Sequence, residues 1–322
     1  MRTKIQWTVC ILSSNLRKNF LFNLINSFKY IKKSFDLNIV IVNKESTSLH
    51  NSLKEKIIKL NNVSKFNIFW SGVNISEGRN FLLNLTKTKF VLFIDDDVSF
   101  NCDVVKILEN SLSKYPFALT GMKSYISSTN KVDKPKKNQY PYFEFNKDVV
   151  FGPVFGIIVG GYTKLIKKVG GFDKRRRNWG EWVDLNLRLL NKGFLVGHNI
   201  NKGYVRHWLA PGSPTRDKED RQYDIIKGII LTSFQYNLLS KPNTPFWKIV
   251  FNRYLNYAYD SKVTKEKLFF DTLNVFRDLI INEEIPMKID KTYKFSPYEN
   301  IDKSQWLNLF EGSKKKLTYY KK

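Results

Sequence analysis

The stretch from Trp7 to Asp97 alternates short apolar runs with helical patterns, and this alternation narrows the possible folds more than any other feature of the chain. Trp7–Leu12, Asn38–Val42, Lys65–Trp70 and Phe90–Ile94 read as strands. The five unbroken apolar residues of the last run predict a central strand buried on both faces. Between the runs, Phe20, Leu21, Leu24, Ile25 and Phe28 recur at helical spacing, and Leu53–Leu60 and Gly78–Leu85 read as further helices. Such an order predicts an α/β domain with a mostly parallel central sheet flanked by helices. Ligands of such sheets gather at the carboxyl ends of the strands. The turn Ser13–Asn15, the turn Asn43–Ser46 and the triplet Asp95-Asp96-Asp97 all fall there, which makes Ser13 and Asn43 candidate substrate-binding residues.

The triplet is the chemical signal. Three adjacent carboxylates repel one another and weaken a fold unless a cation neutralises them. Mn2+ or Mg2+, held through one or two carboxylates and the phosphates of a substrate, answers that need. A solvated acidic turn is the plain alternative.

Charge adds to the first reading. The chain has 54 Lys+Arg against 29 Asp+Glu, a net charge of +25. Residues 1–214 hold 34 basic and 15 acidic residues, and 215–322 hold 20 and 14, so the excess lies in the half that carries the aspartates. A field of this sign favours anionic partners: sugar nucleotides, the phospholipid head groups of an anionic membrane surface, lipid-linked or phosphate-rich acceptors, or nucleic acid. Two cysteines, Cys10 and Cys102, predict no disulfide framework. No run reaches the ~20 apolar residues of a membrane span, and Trp7–Leu12 is too short for a secretory signal. The expectation is a cytoplasmic protein, peripheral on the membrane through its charge.

Further along, residues 123–148 read as a loop or irregular hairpin and Phe151–Tyr162 as a strand with interleaved glycines. Lys164–Val169 is a short helix closed by Gly170-Gly171, and Glu181–Asn191 is a helix ending before Gly193. Pro211-Gly212-Ser213-Pro214 marks a boundary, giving a catalytic domain over 1–214 and a helical extension over 215–322. In the extension, 216–240, 246–258 and 264–282 read as helices, and Lys314–Lys322 as a basic, frayed end.

Three segments within residues 7–208 resemble the inverting GT-A glycosyltransferases of family 2. They are Gly78-Arg79-Asn80 ahead of the Asp triplet, Val169-Gly-Gly-Phe-Asp173, and Gly180-Glu-Trp-Val-Asp-Leu-Asn-Leu-Arg188 followed by Gly193-Phe194. The resemblance implies a GT-A fold with a helical C-terminal extension. It also implies transfer of a sugar from a metal-bound nucleotide-diphospho-sugar, a UDP-sugar by preference, to a glycan or lipid-linked acceptor. Asp95 and Asp97 would hold the nucleotide ribose and the metal, with Asp96 sharing this work or turned into the structure. Arg79 would approach the diphosphate, for which a guanidinium fork is suited. Asn43 stands where many relatives carry an Asp that reads the base.

Trp182 departs from the pattern, since many relatives place the catalytic base there. Its helical neighbours Leu185 and Leu189 make it core or an acceptor-facing wall. Glu181 is then the leading candidate to take the acceptor proton. Asp184 shares its face and is the second catalytic candidate, but also forms an i, i+4 pair with Arg188. His207 is either a metal ligand, as in some GT-A enzymes, or a hydrogen-bonded histidine beside Trp208. His198 reads as structural. Arg175-Arg176-Arg177 reads as a solvated face, or as a contact for an anionic acceptor. Two other classes stay open at this point: a catalytically impaired relative, and a basic nucleic-acid-binding protein. The second leaves the ordered motifs unexplained, so no nucleic-acid partner is expected.

Overall fold

The computed structural model describes residues 5–42, 46–126, 132–133, 142–154, 157–199, 203, 205–208, 218–235, 265–284 and 301–321. Asn43, the Pro211–Pro214 loop and the expected helix over 246–258 lie outside them.

The expected alternation is present. Strands β1 (Trp7–Ser14), β2 (Phe35–Val42), β3 (Val63–Ser71) and β4 (Phe90–Asp95) alternate with helices α1 (Lys18–Ser27), α2 (Thr47–Ile58) and α3 (Ile75–Leu85). All four strands are mutually parallel, in the order β3-β2-β1-β4, and β4 is buried along its apolar run. Beyond β4 the sheet continues through the second half of the expected Phe151–Tyr162 strand and through further strands. After β5 (Val98–Phe100) come helix α4 (Val104–Lys114) and β6 (Phe117–Met122), followed by the short β7 (Ser124–Ile126) and β8 (Val132–Asp133). Then come β9 (Phe143–Asn146), β10 (Val149–Phe151) and β11 (Ile158–Tyr162). The nine-stranded sheet closes with β12 (Leu195–Asn199), in the order β3-β2-β1-β4-β11-β6-β12-β10-β9, with β11 antiparallel to both its neighbours.

Helix α5 (Thr163–Lys168) ends in the αL glycines Gly170 and Gly171. The Gly170 amide donates to the Lys167 carbonyl and the Gly171 amide to the Ile166 carbonyl, so two orphan carbonyls are satisfied by residues that carry no Cβ penalty. Helix α6 (Glu181–Asn191) spans the expected residues. A second sheet, β5-β13-β7-β8, contains β13 (Val205–His207). Pairing of β13 with β5 sets His207 opposite Val98, next to the triplet.

Helices α7 (Lys218–Gln235) and α8 (Lys265–Ile281) pack on each other around Ile226, Ile229, Ile230, Leu268 and Val275. Helix α9 (Lys303–Lys321) corrects one expectation: the basic end is not frayed. Trp306 and Leu317 are fully buried in the main core, and Ser313 Oγ donates to the Pro116 carbonyl while accepting from the Leu195 amide. Lys303, Lys314, Lys315 and Lys316 are exposed while the apolar stripe of the helix docks on the sheet. No helix among the described residues is long and apolar enough to cross a membrane.

Candidate active site

The carboxyl ends of β1 and β4 lie side by side, with Leu12 paired to Asp95, and this register brings Ser13 beside the triplet. The three aspartates point in different directions. Asp96 turns inward: it is 1% exposed and accepts a hydrogen bond from Ser13 Oγ at 2.6 Å. Asp97, 3% exposed, has its Oδ1 3.5 Å from His207 Nε2. Asp95 is the most open, with its side chain 33% exposed, and takes Arg79 Nη2 at 3.1 Å.

Two arginines neutralise this cluster. Arg17, in the 3-10 turn after β1, bridges Asp96 at 2.5 Å and Asp97. Arg79, on α3, bridges Asp95 and Glu181 while its guanidinium lies over the rings of Trp182 at 5.1 Å and Phe172 at 5.7 Å. Burial pushes the Asp95 carboxyl up to about 6, against the pull of Arg79, and the Asp96 carboxyl up to about 7, against the pull of Arg17 and Ser13.

The three resembling segments form one interlocked unit. Gly78 lets α3 close onto β1, since a Cβ there would stand 2.6 Å from Leu12. Asn80 clamps the backbone of Phe172, accepting from its amide at 2.8 Å and donating to its carbonyl at 2.7 Å. Arg188 ties α6 to the same turn through the Val169 and Gly171 carbonyls and to Asp184 at 2.7 Å. Helix α6 begins at Gly180 (φ 81°), so Glu181 and Asp184 sit in its first turn, where the helix dipole favours carboxylates.

The two carboxylates have different surroundings. Asp184 is fully buried, held by Arg188 and Gln235, with Arg176 Nε 3.8 Å away. Glu181, 8% exposed, has Oε1 on Arg79. Trp182 is core: it meets Phe172 edge-on at 4.9 Å and Phe93 at 5.7 Å. Its indole nitrogen is buried without a partner among the described residues. His198 is structural, with Nε2 at 2.8 Å from the Pro153 carbonyl.

Arg176 overturns the solvated reading of its triplet. It is 1% exposed and donates to the Gly228 carbonyl at 2.9 Å, Thr232 at 2.8 Å and Gln235 at 3.1 Å. Its guanidinium therefore rivets α7 to the loop before α6. Replacing it by Met strips Asp173 and Asp184 of a buried counter-charge, and Arg176→Met is expected to lower unfolding stability by ~3–5 kcal/mol. Denaturant titration checks this; a loss below ~1 kcal/mol counts against the rivet.

A cleft of about 770 Å³ opens beyond the ends of β2 and β3, between Val42, Gly72 and Asn74 on one side and Arg177, Tyr223 and Lys227 on the other. Its size suits a small-molecule ligand. The triplet itself does not line it.

Metal fit rests on Asp97 and His207. Among the described residues no group of three or more His, Cys, Asp or Glu side chains gathers that could hold a metal ion. One carboxylate and one imidazole facing each other still fit Mn2+ or Mg2+ when water and a diphosphate complete the shell. Arg17 is the member of the site that sequence reading missed; a lone arginine three residues past a strand has no distinguishing pattern.

Several solved structures share the fold. The crystal structure of S. aureus TarS 1-349 in complex with UDP-GlcNAc superposes with a TM-score of 0.58 at 14% identity, covering 88% of this chain and 82% of that one. TarS 1-349 in complex with UDP gives 0.54 at 12% identity, covering 92% and 100%. GalNAc-T7 with UDP, GalNAc and Mn2+ gives 0.55 at 11% identity, covering 89% and 59%. No curated protein sequence matches the chain. Residues 8–169, just over half of the 322, match the profile of glycosyl transferase family 2. Together with the GT-A architecture and the interlocked Arg79-Asn80, Gly170-Gly171 and Glu181–Arg188 segments, this match places the chain in glycosyl transferase family 2.

Proposed function

We propose that this chain transfers a sugar from a nucleotide-diphospho-sugar, a UDP-sugar by preference, to a hydroxyl of a glycan or lipid-linked glycan with inversion, assisted by Mn2+ or Mg2+. The carrying observation is Arg79, whose guanidinium joins Asp95 at the end of β4 to Glu181 at the start of α6. That bridge sets a donor-side carboxylate and an acceptor-side carboxylate on opposite flanks of one rigid group. The UDP, UDP-GlcNAc and Mn2+ present in the similarly folded structures support this donor and cation.

In this reading residues 1–214 bind donor and acceptor. Asp95 and Ser13 orient the nucleotide, with Asn43 assigned to the base by the family resemblance. Asp97 and His207 would hold the cation, which when bound neutralises charge on the leaving diphosphate. Glu181 accepts the acceptor hydroxyl proton as that oxygen bonds to the anomeric carbon and the bond from this carbon to the phosphate oxygen breaks. Asp184, fully enclosed by its partners, holds α6 in place. Trp182 supports Arg79 from below through its ring face.

The test is thermal stabilisation across a panel of nucleotide diphosphates with Mn2+, Mg2+ or chelator. UDP with metal should raise the melting temperature more than UDP with chelator. An identical response with chelator would remove the metal from this reading, and no response to any nucleotide would overturn it.

A further inference from the structure

Helix α8 is apolar on two sides. Leu268, Val275 and Leu279 are buried in the cluster it shares with α7. Away from that contact, Phe269, Phe270, Leu273, Ile280 and Ile281 are between 40% and 69% exposed and join neither apolar core of the described residues. Phe269 and Ile280, like Phe270 and Ile281, stand eleven residues apart, about three turns of helix. The two pairs therefore form rows along the helix, with Leu273 between them. Lys267, Asp271, Asn274 and Asp278 occupy the remaining side, where Asp271 and Asp278 accept hydrogen bonds from Gln222 and Tyr223 of α7. Of the eleven large apolar side chains exposed among the described residues, five lie on this one helix. A surface helix with one packed stripe carries polar residues over the rest of its circumference. A second, contiguous apolar face marks a contact site instead.

We infer that the outer face of α8 is a membrane-docking surface, whose five apolar side chains enter the head-group boundary of an anionic bilayer. The inference goes beyond the sugar-transfer reading and does not depend on it. Charge selects the occupant. The chain carries a net +25, which an anionic lipid surface attracts and a second copy of the chain repels. On the face itself Arg277 stands between the two rows with its side chain 67% exposed. The aliphatic stem of an arginine lies along apolar surface while its guanidinium reaches lipid phosphates. Exposed Glu266, at the amino end of the same side, offsets that charge locally, so the long-range attraction belongs to the chain as a whole. Helix α8 is 17 residues long, and an amphipathic helix of this kind lies in the plane of the interface. Attachment then has two parts: attraction by net charge at a distance, and apolar burial at contact. Only the first is screened by salt.

Flotation of the full chain with vesicles separates the two parts. Wild-type protein should float with vesicles of phosphatidylglycerol and phosphatidylcholine, and a fraction should stay bound at 1 M salt, where the Debye length is about 3 Å. Phe270→Ser combined with Ile281→Ser should lower the partition coefficient by about 100-fold, because two apolar side chains no longer leave water. Tyr319→Ser, on α9 and 81% exposed, should leave it unchanged. Absence of vesicle binding overturns the inference. So does binding that salt abolishes and the double substitution does not weaken, since charge alone would then explain it. A wild-type dimer in light scattering that the double substitution converts to monomer would assign the face to a second copy and overturn it as well. Should the double variant fail to fold, hydrogen exchange of the wild-type protein decides. Anionic vesicles should slow the amides of 265–281, and unchanged exchange there in vesicle-bound protein overturns the assignment. Thermal stabilisation by UDP is read separately, so failure of the docking surface leaves the sugar-transfer reading standing.

Discussion

Asp97→Asn is expected to abolish metal-assisted binding of UDP while leaving the fold intact. Asn has the shape of Asp but carries no charge, and a neutral amide is a poor ligand for a hard cation. Loss of groups that merely orient metal ligands already costs 10–100-fold in affinity, so removal of the ligand itself should cost at least ~100-fold. The fold should survive because Arg17 keeps Asp96, and the Asp97 carbonyl still accepts from the Trp208 amide at 2.9 Å. Calorimetry with Mn2+ and UDP, against the same titration in chelator, measures the effect. A variant that retains metal-dependent UDP binding would move the cation from Asp97 to Asp95. His207, the ladder partner of Val98, would then belong to the packing beside Trp208 and not to the metal.

The second large effect concerns the base. Glu181→Gln should lower transfer by ~100- to 10,000-fold, the usual consequence of losing a general base, with UDP affinity nearly unchanged. Gln preserves the hydrogen bond to Arg79 through its carbonyl oxygen, so the bridge to Asp95 and the position of α6 should hold. The effect should therefore fall on kcat and not on donor binding. Asp184→Asn should act chiefly through stability, because that carboxylate is fully buried among Arg188, Gln235 and Arg176. Near-normal turnover by the Glu181→Gln protein would show that Glu181 serves Arg79 as a structural anchor and that proton removal occurs elsewhere.

The interlocking of the motif segments explains why they are legible at all. Asn80 was visible beside Arg79, but its work is the clamp on Phe172. Arg188 was visible as an i, i+4 partner of Asp184, but it also holds the Val169–Gly171 turn. In each case the sequence displayed a residue in a recognisable setting and concealed a second contact reached through space. Arg176 is the extreme instance. In a run of three arginines it reads as solvated, yet the loop turns it beneath α7 while exposed Lys174 and Arg177 face the cleft. Charge runs are read by type, whereas burial depends on which side of a turn each residue faces.

The α/β alternation, the span of α6, the glycine closure of α5 and the acidic cluster at the end of β4 are all legible in the chain before it folds. These rest on local physics: side-chain periodicity, backbone freedom at glycine, and repulsion among adjacent carboxylates. Which way each aspartate faces, the cover of two of them by Arg17, the link of Asp95 to Glu181 through Arg79, and the packing of α9 into the main core emerge only in three dimensions. Those outcomes depend on parallel strand order and on ladder register, as in the β5–β13 pairing that carries His207 to Asp97. Register is a long-range property with period two, and shifting it by one residue would turn the strand residues Asp95 and His207 to the opposite faces of their sheets.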